Sequence, residues 1–251
     1  MKKKIVIFSG AGLDRESGIL TFRDSKDGLW NNYKIDEVAT PDGWRKDRNQ
    51  VLKFYNERRS QLPEVEPNIA HKKIAELEEN FDVINITQNV SNLLERAGAK
   101  NVIHLHGELI KVRGSLYHGK INPKAIPANH IIDIGYNDIN IGDMCEFTNS
   151  QLRPHIVWFD ESPFKSLEAG QAMHDADIVI IVGTSLEIGY THLFFNYIRS
   201  YKYDKISPCK VYYVDPSPAK YLDDIGLNIE YIKKPATIGI TDLVDKLIKE
   251  H

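Results

Sequence analysis

A chain of 251 residues with 42% hydrophobic residues is long enough to bury a core as one α/β domain or as a large and a small lobe. Its formal net charge of −3, without a long Lys/Arg block, excludes an electrostatic footprint for nucleic acid or an anionic membrane surface. The apolar run after Met1-Lys2-Lys3-Lys4 stops at Ser9-Gly10, too short for a signal peptide or a membrane span, so a cytoplasmic location is expected. Cys145 and Cys209 are the only cysteines and lie far apart, which gives no disulfide framework and fits a reducing compartment.

The first β-branched run, Ile5 to Ser9, leads into Gly10-Ala11-Gly12, with Gly18 a helix length further on. Glycines there let a backbone turn sharply and bring amide N–H groups against a diphosphate. The spacing is not that of dehydrogenases, and an ordinary strand-to-helix turn accounts for it equally well. Residues 24–71 are polar with interspersed aromatics (Trp30, Tyr33, Trp44, Phe54, Tyr55) and read as loops and short helices. Within them Tyr55 and Arg58 share a helix face, where a guanidinium beside a phenol holds a carboxylate by N–H and O–H bonds. A solvated surface arginine is the plainer alternative.

The runs Val83 to Thr87 and Val102 to His106 end in the polar strings Gln88-Asn89-Val90-Ser91 and His106-Gly107. Strand ends along one edge of a parallel sheet are where such folds place ligand chemistry. A neutral imidazole is a fitting general base for a sugar hydroxyl, and an amide positions a water or a sugar, which makes His106 and Asn89 candidate catalytic residues; a strand-end histidine that only satisfies packing is the commoner alternative on this local pattern. Residues 111–151 are rich in Gly, Asn, Asp and Pro with weak periodicity, and further runs follow at Ile156 to Phe159, Ile178 to Val182 and Val211 to Val214. Apolar on both sides and separated by helix-length segments, the runs predict a parallel sheet with crossover helices. From Thr241, a plausible cap, Leu243, Val244, Leu247 and Ile248 line one face of a closing helix. The expected fold is α/β: a single domain, 1–251, with a Rossmann-like large lobe of 1–23, 72–110 and 152–251 and a small inserted lobe of 24–71 and 111–151.

Longer strings carry a family resemblance. Gly10-Ala11-Gly12-Leu13-Asp14-Arg15-Glu16-Ser17-Gly18-Ile19-Leu20-Thr21-Phe22-Arg23 followed by Asp27-Gly28-Leu29-Trp30 resembles the sirtuin signature G-A-G-x-S-x-x-S-G-I-P-x-F-R with its G-L-W turn. Thr87-Gln88-Asn89-Val90-Ser91-Asn92-Leu93 and His106-Gly107 are similar to the T-Q-N-x-D-x-L and H-G motifs. Arg153-Pro154-His155-Ile156-Val157-Trp158-Phe159-Asp160-Glu161 and Gly183-Thr184-Ser185-Leu186 match the substrate segment and the adenosine-side turn in the same order. The resemblance implies NAD as cofactor and an acyl-lysine protein or peptide as substrate. It implies His106 as the base that deprotonates a ribose hydroxyl, giving nicotinamide, free lysine and O-acyl-ADP-ribose. By the same resemblance Gly10, Ala11, Gly12, Phe22, Arg23, Gln88, Asn89, Ser91, Gly183, Thr184, Ser185 and Tyr213 form the cofactor set, and Trp158, Phe159 and Glu161 the substrate set. Tyr55 and Arg58 resemble the Y-x-x-R of the desuccinylase-type subgroup and join that set as readers of an acidic acyl group.

The chain also departs from the family pattern. Gly114 stands at the first zinc-cysteine position and Cys145 alone remains in that region; His118, His130, Asp143 and Cys145 match no zinc spacing, so no zinc is expected and the small lobe lacks the usual zinc ribbon. Asp14 replaces a serine of the phosphate loop, Ser91 replaces the acid that holds the nicotinamide amide, Tyr213 stands in for an asparagine toward the adenosine ribose, and Asp160 replaces a glycine. These changes leave two alternatives to a deacylase: a catalytically weak NAD or ADP-ribose binding protein, and an NAD glycohydrolase or ADP-ribosyltransferase.

Overall fold

The computed structural model describes residues 2–19, 33–115, 130–186, 191–202, 209–217, 219 and 227–251. Phe22, Arg23, the Asp27-Gly28-Leu29-Trp30 turn and His118 lie outside them. The strands are β1 (Lys4–Ser9), β2 (Asp82–Thr87), β3 (Val102–His104), β4 (Gly107–Gly114), β5 (Ile131–Asp133), β6 (Met144–Cys145), β7 (Ser150–Ile156), β8 (Ile178–Val182), β9 (Lys210–Val214) and β10 (Ile229–Ile232). The helices are α1 (Ala11–Arg15), α2 (Ile35–Val38), α3 (Pro41–Lys46), α4 (Arg48–Gln61), α5 (Ile69–Glu76), α6 (Leu93–Arg96), α7 (Ser166–His174), α8 (Thr191–Lys202) and α9 (Ala236–Lys249).

Six parallel strands lie in the order β10-β9-β8-β1-β2-β3. The chain first builds outward from β1 through β2 to β3, then returns to the other side of β1 with β8. This is the doubly wound order, and the reversal leaves a crevice at the carboxyl ends of β1 and β8. Alternation along β1 supplies both faces: Ile5 and Ile7 face a core shared with Ile74 of α5 and with Ile240, Leu243, Val244 and Leu247 of α9. Val6 and Phe8 face a second core with Ala172 and Met173 of α7 and Phe194, Phe195 and Ile198 of α8. A strand buried on both sides reads as a continuous apolar run, which is why five of the runs seen in sequence fall in this sheet.

Two expectations need correction, and the parallel sheet has one strand that the sequence runs do not mark. The run Ile156 to Phe159 is not a strand of the parallel sheet; β7 ends at Ile156 and pairs antiparallel with β4 in a separate sheet of order β5-β4-β7-β6. A short apolar run is equally compatible with either setting. The closing helix starts at Ala236, five positions before Thr241, and Thr241 Oγ1 bonds back to the Thr237 carbonyl at 2.6 Å inside the helix, a mid-helix use of threonine rather than a cap. β10 is a further strand whose Ile229-Glu230-Tyr231-Ile232 pattern, half-exposed at the sheet edge, is too short and polar to stand out.

The antiparallel sheet and helices α2 to α4 enclose a third core of Trp44, Phe54, Tyr55, Val112, Ile156 and Trp158. Asp47 caps α4 by accepting from Gln50 N at 3.0 Å, and buried Arg59 ties that helix to β4 through Nε to the Leu109 carbonyl at 2.6 Å. At the end of β4, a Cβ on Gly114 would lie 2.9 Å from Ser150 Oγ and 3.0 Å from Cys145 Cβ. Thr148 Oγ1 and Ser150 Oγ bond to each other at 2.7 Å in that space, and His130 packs against Phe147 at a tilt, with ring centroids 4.8 Å apart. One thiol and a pair of mutually satisfied hydroxyls do not fit the four-ligand tetrahedral site of a structural zinc. Among the described residues this corner is held by packing and hydroxyl bonds. None of their helices is long and apolar enough to cross a membrane.

Candidate active site

The crevice at the switch point is bordered by the segments that follow β1, β2, β3 and β8. Gly12 N donates to the Gly183 carbonyl at 2.8 Å and Gly10 N to the Val182 carbonyl at 3.0 Å. A Cβ on Gly12 would lie 2.6 Å from Gly183 Cα, so the glycines serve first to let these two strand-end loops touch backbone to backbone. Ala11 is exposed and Gly12, Gly183 and Ser185 are half-buried along the rim, while Gly10 and Thr184 are buried beneath it.

The segment after β2 is fixed from several directions. Thr184 Oγ1 donates to Gln88 Oε1 at 2.8 Å, joining the turns after β8 and β2. Asn89 N donates to Thr87 Oγ1 at 3.1 Å, and Asn89 Nδ2 donates to the Gly10 carbonyl at 3.0 Å and to Asp14 Oδ1 at 2.8 Å. With both amide protons so committed, Asn89 presents its amide oxygen, an acceptor, to whatever enters. His106 Nδ1 lies 2.8 Å from the Gln88 carbonyl. A carbonyl only accepts, so Nδ1 carries the proton and, in the neutral ring, Nε2 holds the basic lone pair. Burial lowers the His106 pKa to about 4, against a smaller opposing effect of the Gln88 bond. The ring is thus neutral across the physiological range, the state in which Nε2 can accept a proton.

His104, two residues earlier, had no signal in the sequence because a buried strand histidine looks like packing. Its Nδ1 bonds the Asn89 carbonyl at 3.1 Å and its Nε2 meets Glu95 Oε1 at 2.7 Å. Burial alone would lower its pKa, but the Glu95 and Glu108 carboxylates raise it, favouring an imidazolium that braces Asn89 from below. His71 is a second residue the sequence reading missed, and it is fully buried on α5 with Nε2 3.1 Å from Asp14 Oδ1. Asn68 caps α5 through its Oδ1 and reaches the Leu13 carbonyl with its Nδ2 at 2.8 Å, which holds α5 and therefore His71 against α1. The signal for Asn68 was legible as an Asn before an apolar-periodic segment. Asp14 and Ser91, read separately as departures, are partners: Ser91 Oγ donates to Asp14 Oδ2 at 2.6 Å.

Tyr213 is placed under the site rather than in it. It is 0% exposed on β9, and its hydroxyl donates to the Thr184 carbonyl at 2.7 Å, because its position in the strand points into the core with Val211. The residue at the carboxyl end of β9 is half-buried Asp215, whose Oδ1 accepts from Ser217 N at 2.9 Å. An acid at such a strand end is the type that reads ribose hydroxyls in dinucleotide-binding folds.

The segment after β7 runs beside His106: Val157 N donates to the His106 carbonyl at 2.9 Å, and Phe159 N to the Ala39 carbonyl at 2.9 Å. Phe159 is exposed. Glu161 is turned inward, accepting from Arg153 at 2.8 and 3.1 Å and from Trp158 N at 2.9 Å. Buried Trp158 donates from Nε1 to the Tyr55 hydroxyl at 3.0 Å. Arg58 lies on the same helix face as Tyr55, its guanidinium 3.2 Å from the Phe54 ring centroid and Nη1 donating to the Phe54 carbonyl at 2.7 Å. Burial lowers the Arg58 pKa to about 10, which still leaves a cation beside Tyr55. The structure therefore brings Tyr55, Arg58 and Trp158 together across the small-lobe core, with His106 joined to them through Val157.

Asp160 takes φ 70° in this segment, the left-handed region that glycine occupies without penalty and aspartate tolerates at some cost. Asp160→Gly is expected to raise stability by about 0.5–1 kcal/mol, the relieved strain exceeding the added freedom of the unfolded chain. A urea midpoint that falls instead of rising would show that the Asp160 side chain makes a compensating contact.

A model of the Sir2 family matches residues 10–189, a span that contains every site segment described above except the β9 stretch with Tyr213, Asp215 and Ser217. The chain belongs to the Sir2 family. Similar proteins include an NAD-dependent protein deacylase of Helicobacter pylori, 42% identical over 252 residues and covering 98% of both chains. Another, from Bacteroides thetaiotaomicron, is 40% identical over 246 residues, with 98% of each covered. Among solved structures, a Sir2 homolog–NAD complex superposes with a TM-score of 0.80 at 31% identity, covering 99% of this chain and 91% of that one. A mutant of a Sir2 homologue bound to ADP-ribose gives 0.81 at 31%, with 99% and 93% covered.

Proposed function

We propose that this Sir2-family chain is an NAD-dependent protein-lysine deacylase in which His106 is the base, and that it acts on acyl-lysines whose acyl chain ends in a carboxylate. The observation that carries the first part is the commitment of His106 Nδ1 to the Gln88 carbonyl, which leaves Nε2 as the basic nitrogen of a neutral ring in the segment between β3 and β4. The donor set around it fits a dinucleotide: a backbone-lined loop at Gly10 to Gly12, the Gln88 and Asn89 amides, the Gly183 turn, and Asp215 for a ribose diol. Bound NAD supplies a ribose carbon activated by its nicotinamide leaving group. The protein's part is to hold that ribose against Asn89, to let His106 Nε2 take a proton from a ribose hydroxyl, and to seat the peptide along Val157 to Phe159 by strand addition. The departures at Asp14, Ser91 and Tyr213 give the non-catalytic alternative little support once Tyr213 lies in the core and the other two pair with each other.

Tyr55 and Arg58 support the acidic-acyl part, with a half-buried cation beside a phenol at the floor of the substrate segment. The experiment is incubation with NAD and either acetyl- or succinyl-lysine peptide, measuring nicotinamide and acylated ADP-ribose. Peptide-dependent products support the deacylase reading; nicotinamide release indifferent to peptide would replace it with glycohydrolysis. Arg58→Leu is expected to lower the ratio of succinyl to acetyl kcat/KM by about 10- to 100-fold, the worth of a charge-assisted hydrogen bond. An unchanged ratio would remove Arg58 from acyl recognition and leave the deacylase reading standing.

A further inference from the structure

The Asp14 carboxylate is 4% exposed on the short helix α1 and gathers three side chains from two other segments, α5 and the stretch after β2. Its Oδ1 accepts from Asn89 Nδ2 at 2.8 Å and lies 3.1 Å from His71 Nε2, and its Oδ2 accepts from Ser91 Oγ at 2.6 Å. His71 Nδ1 is buried with no partner among the described residues. An unmade lone pair is cheaper to bury than an unmade N–H, so the ring proton sits on Nε2 and is donated to Asp14. Each contact is reciprocal in sense: Asp14 accepts, and His71, Asn89 and Ser91 donate. Nothing else described gives Asn89 Nδ2 a second fixed direction besides the Gly10 carbonyl.

We infer that Asp14 is the positioning residue that sets the Asn89 amide. We further infer that Asp14 and Ser91 form one functional pair in which carboxylate and hydroxyl have exchanged sides relative to the family's serine-in-the-loop, acid-after-asparagine pattern. The inference rests on the deacylase reading for its catalytic meaning but not for its geometry. On this account the two departures are one change. In this chain the carboxylate that reaches Asn89 comes from α1, just after β1, and Ser91 opposite supplies the short donor. The exchange also dictates what each single substitution does. Asp14→Ser leaves two hydroxyls facing each other and gives His71 and Asn89 no shared acceptor. Ser91→Asp brings a second carboxylate to the place where Ser91 Oγ now meets Asp14 Oδ2, where like charges repel and one must take up a proton.

The test is a four-way comparison of wild type, Asp14→Ser, Ser91→Asp and the double exchange, with Asp14→Asn as a fifth variant. Three quantities are measured: the thermal midpoint without ligand, the affinity for ADP-ribose by calorimetry, and kcat and KM for acyl-peptide. Both single variants are expected to lose about 10-fold or more in kcat, with peptide KM held within about two-fold, as expected when a bond to a charged group is removed. Ser91→Asp should also acquire a thermal midpoint that falls as pH rises. The double exchange should recover both midpoint and kcat, since carboxylate and hydroxyl again face each other. Asp14→Asn should lose kcat, because an amide accepts through one oxygen only. Losses in the double variant that simply add, or a wild-type kcat in Asp14→Ser, would overturn the inference. If the wild type shows no peptide-dependent activity the deacylase reading fails. The midpoints and ADP-ribose affinities of the same variants then still decide whether the pair is coupled, additive values overturning it and recovery in the double variant upholding it.

Discussion

His106→Ala is expected to lower peptide-dependent deacylation by about 10²- to 10⁴-fold, the usual worth of a positioned general base, with ADP-ribose affinity changed far less. The expectation follows from how the ring is held. The Gln88 carbonyl fixes Nδ1 as donor at 2.8 Å, so the variant loses the basic nitrogen and also the tether between the β2 and β3 loops. His106→Asn separates the two, since an amide N–H can restore the tether without a base; its rate should stay as low as that of the alanine variant while its thermal midpoint returns toward wild type. The pH profile is a second check. Burial pulls the folded pKa to about 4, below the ordinary value of about 6.5, so His106 stays neutral as pH falls from 8 and the rate limb assigned to it appears near the lower value. The linkage has the same sign: the unfolded chain binds this proton more readily, so stability associated with His106 is full above about pH 6.5 and declines as pH falls toward the folded value. An acid limb centred near the ordinary histidine pKa would show that the ring is better hydrated in solution than its surroundings imply. An alanine variant with wild-type turnover would remove His106 from the chemistry.

The segments that build the crevice were legible because each combines a buried strand with a polar string at its carboxyl end. Ile5 to Ser9 with the glycine loop, Val83 to Thr87 with Gln88-Asn89, and Ile178 to Val182 with Gly183-Thr184-Ser185 all sit where the pattern put them. What escaped was relational. Asp14 and Ser91 are 77 positions apart, and no local pattern says that one accepts from the other. Read singly, a carboxylate in a phosphate loop is a liability, and a serine in place of an acid is a loss. His71 and His104 escaped for a different reason: each looks like one more residue in an apolar segment, and only the fold reveals the carboxylate that each one faces. Tyr213 enters the ribose set by resemblance alone, and on β9 its side chain faces the core together with Val211. Asp215 lies just past the last residue of β9 and is half-buried there.

Glu161→Gln is expected to cost about 3–5 kcal/mol in urea unfolding, the penalty for removing one partner from a buried ion pair. Arg153 is 0% and Arg113 2% exposed, and Glu161 is the carboxylate that both reach, at 2.8 Å and 3.5 Å. Its loss leaves two buried guanidinium groups facing an amide. The two arginines are not equivalent. Arg153 holds Glu161 with both terminal nitrogens, donates to the Ile156 carbonyl at 3.0 Å and lies over the Trp158 ring at 3.2 Å. Arg113 touches Glu161 only at 3.5 Å, and its Nε and Nη1 have no partner among the described residues. Arg113→Met, which removes an under-satisfied charge at similar volume, is therefore expected to cost less than about 1 kcal/mol or to stabilise. Burial alone would raise the Glu161 pKa, but the Arg153 charge and its hydrogen bonds hold it below the ordinary carboxylate range. A depressed folded value means the contribution is present above the unfolded pKa of about 4.5 and is lost as pH falls through the folded one, so the gap between wild type and Glu161→Gln should close in acid. Because Glu161 also accepts from Trp158 N at 2.9 Å, the substitution loosens the segment proposed to seat the peptide, and peptide KM should rise with the loss of stability. Equal costs for Glu161→Gln and Arg113→Met, or a gap that does not vary with pH, would mean that the pair is not what holds this segment in place.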